Sequence, residues 1–149
     1  MEKAYGIVFL TLGRKTGAFL LCGIMIVTIS GCWTHTYTDE TMQPLAATAN
    51  DLARAVMLYA KDHPAEAALL DDQELVQRAT AFDPNLLKPY EGLMVRGTAE
   101  GIILVCTSDG KRGLIEDAEC SDKVDRLIWS DINAPCQFTL NPETICSEQ

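Results

Sequence analysis

Histidine is nearly missing from this chain: 149 residues hold two, His35 and His63. The sequence also lacks Cys-x-x-Cys, Gly-x-Ser-x-Gly, a P-loop, a dinucleotide fingerprint and His-Glu-x-x-His. These gaps remove the usual general base of nucleophilic triads, the common metal frames and the phosphate cradles. His35 sits in a polar stretch where nothing preorganises it. His63 lies between Asp62 and Pro64 at an expected helix end, where its positive form suits the helix dipole. Ser108 and Ser121 each precede Asp, in turn contexts where that pair is common. Basic side chains are scarce too, 12 against 21 acidic, for a formal charge of −9. Phosphate attraction needs a basic face, so nucleic acid is excluded as a partner. No repeat or low-complexity tract occurs. What is present is enough for one folded domain: 48% of the residues are hydrophobic and the charge forms no long block.

Charge is absent altogether from Thr16 to Gly31. Lys3, Arg14 and Lys15 make the preceding region basic, and Ala18–Ile29 reads AFLLCGIMIVTI. A basic start and an apolar core of about 12 residues form a secretory signal; a bilayer span needs roughly 20. The run ends in Ile29-Ser30-Gly31-Cys32. An aliphatic residue, two small residues and a cysteine resemble the lipobox of bacterial lipoproteins. The resemblance covers the signal and its junction, and implies cleavage between Gly31 and Cys32. It also implies a diacylglyceryl group and an N-acyl chain on Cys32, more than the two signals that stable anchoring takes. Trp33, where retention would call for Asp, implies export to the outer membrane. Two rivals read the same run differently. A single-pass anchor from Thr16 to Thr38 would leave Cys32 a plain thiol. A pilin leader would place Gly17 between the basic residues and the apolar run, but the fifth residue after it is Cys22, not the Glu of such leaders.

Cleavage removes three basic residues and Glu2, leaving 9 basic against 20 acidic side chains and a net charge near −11. Such a domain repels anionic headgroups, so the lipid is the expected membrane contact. Trp33–Gln43 shows no apolar periodicity and reads as a tether, so residues 32–43 form an anchor segment and 44–149 a single domain.

In that domain, Pro44 suits the first residue of a helix. Leu45, Ala49, Leu52, Val56 and Tyr59 mark one face of a helix over 44–62, ended by His63-Pro64. Ala65–Leu70 suits a short helical turn. Asp71 and Glu74 make a capping box for a second helix over 72–81, with Leu75, Val76, Ala79 and Phe82 apolar. Beyond residue 86, glycines punctuate β-rich runs at Leu93–Thr98, Gly101–Thr107, Leu114–Glu119, Asp125–Ser130 and Gln137–Leu140. Gly101–Thr107 is apolar on both faces and suits a central strand. Ser108–Lys111 is a hairpin turn with Asp-Gly at its centre. The expectation is α+β: two N-terminal helices on a small antiparallel sheet, stabilised by disulfides.

Cys106, Cys120, Cys136 and Cys146 remain in the domain after Cys22 leaves and Cys32 is lipidated. Export favours two disulfides. The spacing around Asn141-Pro142 suggests Cys136–Cys146, leaving Cys106–Cys120 around the hairpin. No metal and no cofactor beyond the covalent lipid is expected. The stretch Glu116–Asp125 is the most acidic. It lacks the central Gly and final Glu of a calcium loop and reads as a solvated edge, with Glu116, Asp117, Glu119, Asp122 and Asp125 offered for docking to a basic partner. Trp129, within Leu127-Ile128-Trp129, is expected in the core. These features suggest a non-enzymatic envelope lipoprotein that binds a protein partner, as an accessory subunit of a secretion, conjugation or pilus assembly. An inhibitor or exclusion factor that captures a basic enzyme or incoming machinery is the second reading. A hydrolase built on two facing carboxylates is the third.

Overall fold

Thr38 and Thr41 open the first helix: the Thr38 amide donates to Thr41 Oγ1 at 3.0 Å and the Thr41 amide to the Thr38 carbonyl at 3.0 Å. The computed structural model describes residues 37–120 and 123–146. The expected signal peptide, the Gly31–Cys32 junction, the start of the expected tether, His35 and Asp122 therefore lie outside the described residues.

Helix α1 spans Asp39–Asp62, five residues earlier than the periodicity from Pro44 predicts. Met42 is buried and continues the stripe of Ala46, Ala49, Leu52, Ala53 and Val56. Trp129 Nε1 donates to Asp39 Oδ1 at 2.7 Å, tying the helix start to the sheet end of the domain. Residues 39–43 are thus part of the fold rather than tether. Pro44 sits inside the helix on its exposed side, where the Glu40 carbonyl that its missing N–H leaves free faces solvent rather than the core.

Helix α2 (Pro64–Ala67) and helix α3 (Asp72–Ala79) follow. Asp71 caps α3 as expected, accepting from the Gln73 and Glu74 amides while Glu74 returns a bond to the Asp71 amide. Two 3₁₀ turns, Pro84–Leu86 and Lys88–Tyr90, lead into the sheet. Tyr90 is buried there, its hydroxyl donating to the Leu45 carbonyl at 2.8 Å and lying 2.9 Å from Thr48 Oγ1.

The sheet is an antiparallel meander of β1 (Met94–Gly97), β2 (Ile102–Cys106), β3 (Gly113–Ala118) and β4 (Arg126–Leu127), in that spatial order. The molecule is α+β, with two disulfides. β2 is the fully buried central strand its composition predicts. One face of the sheet carries Val95, Ile103, Val105 and Ile115 against α1 and α3. Gly97 is the close approach between them: a Cβ there would meet Val76 at 2.8 Å and Val56 at 3.2 Å.

The other face is covered by the C-terminal segment. Leu104, Cys106 and Cys136 form a small second core, with Met94 and Phe138 packed on it. Gln137–Leu140 is not the strand its alternation suggests. Its Thr139 and Leu140 amides bond to the carboxylate of Glu116, a side chain rather than a neighbouring backbone. Asp125–Ser130 contributes only the two residues of β4. A last helix, α4 (Pro142–Ile145), closes the described chain.

The disulfides are Cys106–Cys136 and Cys120–Cys146, not the pairs the spacing suggests. The hairpin register gives the reason. Cys106 pairs with Gly113 at the turn end of β2–β3, whereas Ile102 pairs with Ala118 at the other end, next to Cys120. Four strand residues at about 3.3 Å each separate the two ends, beyond the reach of one disulfide.

Candidate functional site

The acidic stretch is where sequence and structure differ most. β3 lies between β2 and β4, so all six of its residues are buried, Glu116 and Asp117 included. They are not a solvated edge. Consecutive strand residues point to opposite faces, so these two carboxylates cannot face each other across a cleft, as a hydrolase pair would. Glu119 is half-buried and paired with Arg54 at 3.2 Å. Asp125 is half-buried and accepts from the Ala118 amide at 2.9 Å.

Glu116 points toward the C-terminal segment and accepts four bonds: from Arg126 at 2.7 Å, the Thr139 amide at 2.5 Å, Thr139 Oγ1 at 2.6 Å and the Leu140 amide at 2.8 Å. It is a clasp that holds the covering segment to the sheet. Arg96 reinforces the same layer. It donates to Asp72 at 2.6 Å and to the Cys136 carbonyl at 3.1 Å, and stacks over Phe138.

Asp117 points toward the helices. Its Oδ1 accepts from the Asp125 amide at 3.1 Å, and its Oδ2 is buried with no hydrogen-bond partner. Burial pushes the carboxyl up to about 7, the nearby Asp125 charge adding to the rise. Because the folded state holds this proton more tightly than the unfolded chain, its contribution to stability is full below about pH 4 and is lost as pH rises through 7. At 1.36 kcal/mol per unit, the loss between pH 5 and pH 8 is about 3 kcal/mol. Asp117→Asn cannot ionise, so its urea midpoint should change less over that range than the wild type's and lie higher at pH 8. An identical pH profile for the two would contradict this assignment.

Among the described residues no group of three or more His, Cys, Asp or Glu is placed to hold a metal ion. A polar cleft of about 440 Å³, lined by Asp71, Asp72, Arg96, Asp109 and Cys136, has its one guanidinium already engaged with Asp72 and the Cys136 carbonyl.

A further surface feature is apolar. A groove of about 370 Å³ runs between the last turns of α1 and the end of α3, lined by Ala55, Leu58, Tyr59, Ala79, Ala81 and Phe82, with Asp62, His63 and Arg78 at its edges. Phe82 is 77% exposed and Leu58 47%. The periodicity places Phe82 in the core, but α3 ends at Ala79 and the following turn carries it outward. His63 stacks on Tyr59 with ring centroids 4.7 Å apart, a helix-end contact consistent with a structural role. Trp129 is in the core, 5% exposed. No sequence motif marks the groove, but Leu58 lies off the buried stripe of α1, and an apolar residue on the polar side is a legible signal.

Comparison with protein-family models, curated proteins and solved structures finds no match to this chain.

Proposed function

We propose that the chain is a lipid-anchored envelope lipoprotein, cleaved after Gly31 and acylated on Cys32, whose domain acts by binding protein rather than by catalysis. The assembly it serves is of the secretion, conjugation or pilus class, and the outer membrane is its favoured location. The Ile29-Ser30-Gly31-Cys32 junction supports the anchor. The observation that carries the binding role is the α1–α3 groove, whose lining includes an exposed phenylalanine and an exposed leucine. Large apolar side chains exposed together around a hollow mark interaction sites.

The second reading, capture of a basic enzyme on an acidic edge, loses support because Glu116 and Asp117 are inside the sheet. The experiment places a photoreactive benzophenone analogue at Phe82 of the full-length chain and irradiates intact cells. A protein adduct from position 82, and none from the exposed control position Glu100, is the expected result. No adduct from position 82 would overturn the groove as a binding site.

A further inference from the structure

The same groove indicates what fills it, and this inference rests on the protein-binding reading above. Its two walls carry opposite charge, Asp62 on α1 and Arg78 on α3. Among the described residues Asp62 has no ion-pair partner, and Arg78 has one distant contact, 3.9 Å to an exposed Glu66. With Glu66 beside Arg78, the groove's margin carries one guanidinium and two carboxylates, so both signs of charge meet there on a strongly acidic domain. A patch that carries both signs can set each against its opposite on an identical copy, which a uniformly basic partner cannot do. The groove also supplies both halves of an apolar contact: a hollow, and the exposed Phe82 and Leu58 at its rim.

We propose that the occupant is a second copy of this chain, bound about a two-fold axis through the centre of the groove. A two-fold interface uses the same patch twice. The rotation lays α1 of one copy over α3 of the other. Asp62 then meets the second copy's Arg78 in both directions, and each Phe82 enters the opposing hollow beside Leu58. Anchoring both copies in one membrane raises their local concentration, so a contact of modest intrinsic affinity suffices.

The mass of the adduct formed from position 82 separates the outcomes. An adduct of twice the chain mass, abolished by Leu58→Asp, is the expected result. An adduct of any other mass overturns the second-copy inference and leaves the protein-binding reading standing; no adduct overturns both. A second measurement tests the register. In sedimentation of the detergent-extracted full-length protein, Asp62→Arg and Arg78→Asp should each raise the dimer Kd at least about tenfold, since each change sets like charges together twice. The double variant should return to within about threefold of the wild type. All three positions are exposed, and far-UV circular dichroism checks that each variant is folded. A double variant no tighter than the singles overturns the two-fold register.

Discussion

Glu116→Ala is expected to destabilise the domain by about 2–4 kcal/mol, through the loss of several hydrogen bonds to one buried charged group. The carboxylate is fully buried and serves Arg126, two backbone amides and a threonine hydroxyl at once. Alanine would leave the part-exposed Arg126 without its ion-pair partner and the part-buried Thr139 and Leu140 amides without their acceptor, each loss costing up to about 1–3 kcal/mol. Against a total stability of about 5–15 kcal/mol, that is a large share. Glu119→Ala is the matched control. Its pair with Arg54 is half-exposed, and such pairs contribute about 0–1 kcal/mol. Urea unfolding of the two variants side by side is decisive. Equal losses would mean that Glu116 does not clasp the C-terminal segment.

Removing both disulfides should have a larger effect still. Cys106–Cys136 closes 30 residues of chain and Cys120–Cys146 closes 26. Loop-closure entropy gives each about 3–4 kcal/mol. Both bridges hold the same segment to the outer face that Glu116 clasps, so their losses will not add independently with Glu116→Ala. With Cys106, Cys120, Cys136 and Cys146 all replaced by serine, the amides of residues 134–146 are expected to lose hydrogen-exchange protection first, because Leu104 and Cys106 lose their cover there. Protection in that segment matching the wild type's would show that the bridges are dispensable for its docking.

The helix faces and the hairpin are legible in the sequence because their signals are local. Asp71 and Glu74 form a box within one turn, and Gly101–Thr107 is apolar on both sides whatever surrounds it. The fate of the acidic stretch is not local. Glu116 is buried because Arg126, Thr139 and Leu140 converge on it from 10 to 24 residues away, and no window around Glu116 contains the last two. Read alone, its acids resemble a solvated edge.

Two further features of the fold are legible in the sequence. Met42 extends the apolar stripe of α1 toward the N-terminus, through the residues assigned to the tether. The hairpin itself, once drawn, sets Cys106 and Cys120 at opposite ends and so forbids the bridge between them. The groove is hidden for another reason: Phe82 keeps the helical period but falls three residues beyond the end of α3, where the period no longer applies.

The central claim is an acylated, disulfide-stapled envelope protein, and the intact mass of the chain extracted from native membranes tests it most directly. The mass is measured with and without reduction and alkylation, beside a Cys32→Ala variant. The account predicts loss of residues 1–31, a lipid increment on Cys32, and four cysteines that alkylate only after reduction. The Cys32→Ala chain should carry no lipid. A full-length, unmodified mass would contradict the account and make the Thr16–Thr38 run a membrane anchor instead.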